Sequence, residues 1–391
     1  MEVKGNKLCL GKFSAKALAD KFGTPIYVYE VSIIRRKYSE LVKSINYPKL
    51  DIHYACKANT NLLVLKLLKS FGSKIETVSK GEIILALKAG FRAKDIIYTS
   101  TSVSKEEMTF VVKNKIRINL DSLSQIELYG KLNKGAGVGL RINQGIGAGH
   151  HDHVITGGEM SKFGISLEHL PRARRLAKKY NLKIVSLHQH IGSNILDVKI
   201  LLKAFDKLLE TALNFPDLVS LDFGGGLGVP YLSTEKELDL KLFGREITKR
   251  MNDFCKKYGR ELTMVLEPGR FLVAQSGVLI TTVTEIKKNP KRTFVGVDSG
   301  FNHLIRPAMY GSYHQIVNAS QITGRKIKVD VVGNICESGD VFGRDRIISN
   351  PRIGDILIIQ DTGAYGYVMA SRYNSRSLPE EVLIDGSKII S

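Results

Sequence analysis

The chain has 391 residues and a formal net charge of +20, a length that suggests two or three domains at roughly 150 residues each. With 43% apolar and 25% charged residues and a mean hydropathy of −0.05, the composition is globular and excludes disordered, collagenous and coiled-coil classes. No apolar run is long enough to span a bilayer, and Cys9, Cys56, Cys255 and Cys336 lie too far apart for a disulfide framework or a zinc ribbon.

In chain order, the opening stretch MEVKGNKLCLGKF interrupts its apolar residues with Lys4, Lys7 and Lys12. It therefore has no signal-type hydrophobic segment, and a cytoplasmic setting is expected. TPIYVYE at 24–30 reads as a strand that adds to a later β domain rather than to the repeat that follows. Eight short apolar runs then alternate with helix-like segments: Asp51 to Cys56, Lys74 to Val78, Ile96 to Thr99, Ile116 to Leu120, Val138 to Ile142, Ile184 to Gln189, Val219 to Phe223 and Leu262 to Leu266. Strand and helix in alternation predict a parallel sheet, and eight repeats predict a (β/α)8 TIM-type barrel. Ser79 with Glu82, Ser104 with Glu107 and Ser122 with Gln125 have the spacing of capping boxes at helix starts. After Arg270 the pattern changes to VLITTVTEI, RTFVGVD, KIKVDVVG, DILIIQD and EVLI, separated by Gly, Pro and Asn, which predicts a second, all-β domain. The resulting α/β plan has an N-terminal segment over 1–30, a barrel over 31–270 and a β domain over 271–391.

The excess positive charge is scattered in helix-like patches such as Arg172, Arg174, Arg175, Lys178 and Lys179, without interleaved aromatics or a basic tail. It reads as a solvated surface that helps attract an anionic substrate, so neither a nucleic-acid nor a membrane partner is expected.

In such a barrel the reactive groups sit at the C-terminal ends of the strands, often with a phosphate held after strands seven and eight. The first strand ends at Lys57, the sixth at HQHIGS with His188, His190 and Ser193, the seventh at DFGGGLG and the eighth at LEPGR. Gly224, Gly225 and Gly226, with Gly269 and Arg270 from the next strand end, describe a phosphate cup. Lys57 is either one more exposed charge or, partly desolvated on that rim, an amine that forms an imine with an aldehyde. A phosphate cup, such an amine and a carboxylate, Glu267, able to pair with a pyridine nitrogen together fit pyridoxal 5'-phosphate. The His150, His151, His153 cluster in a glycine-rich stretch reads as a polar loop rather than a metal site. Cys336 beside Glu337 is open to two readings, an inert thiol or an acid that delivers a proton.

These motifs, with RPAMYGSYH, CESGDVF and DTGAYG followed by SRYNSR, resemble the fold-type III pyridoxal phosphate decarboxylases, and within them the diaminopimelate branch, over residues 22 to 385. The resemblance implies decarboxylation of meso-2,6-diaminopimelate to L-lysine, the last step of lysine synthesis. It implies that Lys57 bonds the cofactor as an imine, that His190 stacks on its ring and that Glu267 pairs with its nitrogen. Ser193, Gly224 to Gly226, Gly269 and Arg270 then bind the phosphate, with Arg270 also near the substrate. By the same resemblance Arg306 and Tyr310 meet the distal carboxylate, Glu337 the distal amino group, and Tyr365 borders cofactor and substrate. Cys336 is then the proton donor. In the family the equivalents of Cys336 and Glu337 come from the partner subunit, which implies a homodimer with shared active sites; no metal is expected.

The chain departs from that pattern where it stops at Ser391, since relatives usually continue through an arginine-bearing strand into a helix; stability or dimer packing is the property expected to feel this. Asn334 replaces a common proline and Glu76 a common aspartate, and neither is expected to touch the chemistry. Decarboxylases of simple diamino acids need no reader for a second carboxylate, which Arg306 supplies. Racemases of this fold usually set arginine against the pyridine nitrogen, where this chain has Glu267, and regulatory homologues tend to lose the residues found here as Lys57 and Cys336.

Overall fold

The structure is a computed structural model that describes residues 2–4, 7–147, 158 and 161–390. The His150, His151, His153 cluster lies outside the described residues. Eight parallel strands form the first unit: β1 (Leu50–Ala55), β2 (Lys74–Thr77), β3 (Ile96–Thr99), β4 (Arg117–Leu120), β5 (Gly137–Asn143), β6 (Lys183–His188), β7 (Ser220–Asp222) and β8 (Thr263–Leu266). Each pairs with the next, and β8 pairs with β1, so the sheet closes on itself as a (β/α)8 barrel. The strands are read easily in sequence because both faces are covered: Ile52 to Ala55 of β1 and all four residues of β3 are buried. β7 is shorter than its apolar run. Val219 is exposed, and the turn that begins at Gly224, with φ +68°, takes Phe223 off the strand.

The helix starts follow the caps. Ser79, Ser104 and Ser122 accept from the N–H groups of Glu82, Glu107 and Gln125 at 3.1–3.2 Å. The return bonds of the expected boxes go elsewhere: Glu82 accepts from Val78 N–H, Gln125 from Asp121 N–H, and Glu107 from Lys80 N–H at the start of the neighbouring helix. Each carboxylate or amide thus still satisfies a backbone donor near a helix N-terminus.

The second unit is mostly sheet. Ile26–Glu30 pairs antiparallel with the long strand Gly277–Lys288 and parallel with Glu380–Asp385. Thr293–Val297, Lys326–Val332 and Val341–Ser349 extend the sheet on the other side, and Ile356–Ile359 also pairs with Gly277–Lys288. Its core includes the fully buried Leu10, Ile26, Ile280, Ile358 and Val382, each contributing about 1.5–3 kcal/mol by burial. A helix over Ala15–Phe22, capped by the Ser14 hydroxyl at 3.1 Å, packs into the same unit.

By contacts the barrel unit comprises Lys37–Val229 and Glu237–Phe271, and the sheet unit comprises Met1–Arg36, Pro230–Lys236 and Leu272–Ser391. The division differs from the 31–270 barrel read in sequence because 31–36 and 230–236 cluster with the sheet unit. Among the described residues, no helix is long and apolar enough to cross a membrane.

One barrel helix, Leu240–Tyr258, depends on a close approach: a Cβ at the buried Gly244 would lie 1.9 Å from the carbonyl oxygen of Ser44. Gly244→Ala gains up to about 1 kcal/mol of helix propensity and loses more to the clash. A net destabilisation of about 1–2 kcal/mol is expected, measured by denaturant unfolding; an unchanged or raised midpoint contradicts this packing.

Candidate active site

Parallel register decides which side chains meet at the C-terminal ends of the barrel strands. Ala55 of β1 sits opposite Glu76 of β2, and Lys57 follows two residues later in the short turn Cys56–Ala58. The Lys57 ammonium donates to Glu76 Oε2 at 2.8 Å, from a side chain 35% exposed to one 1% exposed. This overturns the expectation that Glu76 does not touch the chemistry: it is the direct partner of the candidate imine-forming amine. Burial pushes the Glu76 carboxyl up to about 7, against the opposing pull of Lys57.

Around the ring, Arg141 of β5 is level with His188 of β6, and His188 is level with Asp222 of β7. Glu267 follows β8 one residue beyond its last position. His188 Nε2 and Glu267 Oε2 lie 3.0 Å apart, and both residues are buried. Burial on its own would raise the pKa of Glu267, yet His188 and Lys57 outweigh it and hold the carboxyl well below its ordinary range. Asp222 accepts from Gly224 N–H at 3.0 Å, and burial beside Glu267 pushes its carboxyl well above the usual value. Arg141 pairs with Asp121 at 3.5 Å and lies over the Phe163 ring. Sequence reading set Glu76 aside, passed over Arg141, Asp121 and Asp222, and gave His188 no role. Their only signal was register, which spacing along one strand does not disclose.

His190 is half-buried, and its Nδ1 accepts from Gly225 N–H at 3.2 Å. Burial, then Lys57 and Arg141, depress its imidazole well below the ordinary histidine value, so the ring is neutral and presents an uncharged face. The glycine turn is tightly packed: a Cβ on Gly224 would lie 2.2 Å from Gln189 O, and one on Gly225 2.3 Å from Glu267 O. Only glycine lets this backbone run so close to two strand ends. Ser193 Oγ accepts from Nε and Nη2 of the buried Arg270 at 3.2 and 3.1 Å. Gly269 lies against Ala55 and Ala58, so the eighth strand end touches the turn that carries Lys57. The barrel unit therefore gathers Lys57, His190, Ser193, Gly224, Gly225, Gly226, Glu267, Gly269 and Arg270 around its strand ends.

The residues fit a phosphorylated pyridine aldehyde on a specific observation. Glu267 Oε1 is buried and, with Asp222 taken as ionised, meets no hydrogen-bond donor among the described residues, which leaves it able to accept from a bound group. An ionised carboxylate with one oxygen held and the other open suits a protonated ring nitrogen.

The other predicted site residues lie in the sheet unit. Arg306, 1% exposed, starts the short helix Arg306–Tyr310. Its Nε donates to His314 Nε2 at 3.3 Å, its Nη2 to Ser312 Oγ at 3.3 Å, and its guanidinium lies over the Tyr231 ring. His314 Nδ1 is 2.8 Å from Gln360 O, which fixes the tautomer that leaves Nε2 to accept. Cys336 and Glu337 are exposed in a turn held by Asp340, whose carboxylate accepts from the N–H groups of Phe301 and Ile335. Cys336 N–H donates to Asn374 Oδ1 at 2.9 Å, and Tyr373 OH donates to Glu337 Oε1 at 2.7 Å. Asn334 N–H donates to Ser299 O at 3.0 Å, a bond that a proline there lacks. Tyr365 is half-buried with φ +57°, a rare and strained conformation for a tyrosine.

Known proteins resemble this chain over nearly its whole length. Residues 31–274 match the family described as pyridoxal-dependent decarboxylase, pyridoxal binding domain. The chain is 43% identical to a diaminopimelate decarboxylase of Methanothermobacter thermautotrophicus, over 98% of this chain and 91% of that one. It is 38% identical to the Escherichia coli K12 enzyme of the same name, over 95% of this chain and 91% of that one. The crystal structure of diaminopimelate decarboxylase from M. jannaschii in complex with L-lysine superposes with a TM-score of 0.92, at 33% identity over 99% of this chain and 93% of that one.

The Lys57–Glu76 pair makes a prediction about the amine. Removing the carboxylate with Glu76→Gln removes a charge-assisted hydrogen bond of about 1.5–3 kcal/mol and so favours the neutral, nucleophilic form of Lys57. Labelling of Lys57 by an amine-directed reagent at neutral pH, in cofactor-free protein and read by peptide mass, is expected to be about tenfold faster in the variant. An unchanged rate contradicts the pairing.

Proposed function

The chain belongs to the pyridoxal-dependent decarboxylase family, and from that premise we infer that it removes carbon dioxide from meso-2,6-diaminopimelate to leave L-lysine, with pyridoxal 5'-phosphate as cofactor. The observation that carries this reading is Glu267, a buried carboxylate kept ionised, with Oε2 at His188 and Oε1 open. When bound, the cofactor supplies a conjugated ring that accepts the electron pair left by the departing carboxylate.

The roles of this chain's residues follow from their chemistry. Lys57 is the amine that would hold the cofactor, and Glu76 accepts a hydrogen bond from its ammonium. Glu267 keeps the ring nitrogen protonated, because a charged carboxylate beside it stabilises the cationic form. His190 offers a neutral imidazole face for stacking, which a cationic ring would make less favourable beside a pyridinium. Ser193, Gly224, Gly225, Gly226, Gly269 and Arg270 take the phosphate, through close backbone approach and a guanidinium already oriented by Ser193. Arg270 also borders the substrate, as does Tyr365. Arg306 reads the distal carboxylate with Tyr310; its planar fork is held by His314 and Ser312. Glu337 meets the distal ammonium, and Cys336 returns one proton to the carbon that has lost carbon dioxide.

Cys336 and Glu337 belong to the site of a second subunit in this reading, making the protein a homodimer with shared active sites. Support comes from their exposure in the single chain, on a turn made definite by Asp340 and Asn374. The four unpaired cysteines suit a reducing, cytoplasmic compartment.

Three measurements test the reading. Carbon dioxide release with added cofactor is expected from meso-diaminopimelate and not from lysine or ornithine; equal release from lysine contradicts the substrate assignment. Cys336→Ala is expected to bind cofactor and to turn over about a hundredfold or more slower, the usual worth of a positioned proton donor. Arg306→Ala is expected to lower kcat/KM for diaminopimelate by about 10- to 100-fold, the loss of a charged hydrogen bond, with cofactor binding intact. Unchanged kinetics in either variant removes the role given to that residue.

A further inference from the structure

Two buried titratable groups next to Glu267 have no part in the reaction as described: His188 and Asp222. They are level neighbours on β6 and β7, and each is 1% exposed. One ligand-type atom from each of His188, Asp222 and Glu267 lies within 4.8 Å of the other two. Asp222 Oδ1 accepts from Gly224 N–H, whereas Oδ2 is buried without a partner among the described residues.

We propose that His188 and Asp222 are positioning residues for Glu267, with Asp222 present as a neutral acid whose proton lies toward the Glu267 carboxylate. The inference rests on the reading of Glu267 as the partner of the cofactor's ring nitrogen, and goes beyond it by assigning the protons around that carboxylate. Two buried carboxylates this close cannot both be ionised, since each destabilises the charge of the other at low local dielectric. Which one keeps its charge is decided by the neighbours. Glu267 has His188 on Oε2 and feels Lys57, while Asp222 has one backbone N–H and faces Glu267 and Glu76. The proton therefore resides on Asp222.

A protonated Asp222 turns a repulsive neighbour into a donor. Its O–H and the His188 N–H occupy two of the roughly four acceptor positions of a carboxylate and fix its plane, leaving acceptor positions on Oε1 for the ring nitrogen. Asp222 also bonds the first glycine N–H of the anion turn. The same side chain thus ties the nitrogen end of the cofactor site to its phosphate end.

The test compares holoenzyme of the unaltered chain, Asp222→Asn and Asp222→Ala. Asparagine reproduces the shape and the donor of the neutral acid but cannot ionise. Asp222→Asn is expected to release cofactor within about threefold of the unaltered rate and to keep the same bound-cofactor absorbance from about pH 6 to 9, while Asp222→Ala loosens cofactor about tenfold, one lost hydrogen bond. Two outcomes overturn the proposal: asparagine behaving like alanine, which means the position needs a charge, or alanine behaving like the unaltered protein. Should Asp222→Ala fail to fold, infrared difference spectra decide: the unaltered protein shows a protonated carboxyl band that Asp222→Asn lacks, and absence of that band overturns the assignment. An unaltered protein that neither binds cofactor nor releases carbon dioxide instead defeats the functional reading beneath.

Discussion

A carboxylate that is buried and must remain charged sets the terms for the rest of this site. Taking Glu267 out of water costs several kcal/mol unless other groups compensate, and its charge is what the proposed role of holding a proton on a ring nitrogen requires. Compensation comes from strand register. His188 reaches Glu267 because β6 is fixed by β5 and β7, and His188, Arg141 and Asp222 fall level across those three strands. Lys57 is matched in turn by Glu76, which its own strand places opposite Ala55. The barrel is closed, so none of these levels can slip independently of the others.

The same constraint explains the glycine turn. The carbonyl of Glu267 and the strand end at Gln189 press on Gly224 and Gly225 so closely that any side chain there would displace the backbone carrying the charged groups. The proposed nitrogen partner and the proposed phosphate cradle are therefore parts of one packed unit, joined through Glu267 O and through Asp222 to Gly224 N–H.

The barrel strands were legible because a strand covered on both faces reads as a short apolar run between helix caps. Observed boundaries moved by a residue or so where a glycine turn began or an edge residue met solvent, as at β7. Lys57, His190, Glu267 and the glycines were legible for a different reason: each stands at a strand end inside a distinctive motif. Glu76 and Asp222 were not. Glu76 lies within its strand and Asp222 ends its strand at the start of DFGGGLG, and what each carboxylate faces is set by pairing with a neighbour distant in sequence. The capping serines were correct for the forward bond, whereas the return bonds depended on how neighbouring helix starts lie beside one another. In the sheet unit, the motif around Arg306 pointed to the arginine but not to His314 and Gln360, which orient it from outside the helix.

The central claim is that Lys57 is the amine on which the cofactor is held, at the rim where Glu267 stays ionised. Borohydride reduction of the cofactor-loaded protein, followed by peptide mass mapping, tests it most directly. The account predicts a phosphopyridoxyl group fixed on the peptide containing Lys57, with its loss in Lys57→Ala. Stable labelling of a different lysine, or none in a protein that still releases carbon dioxide, would contradict it.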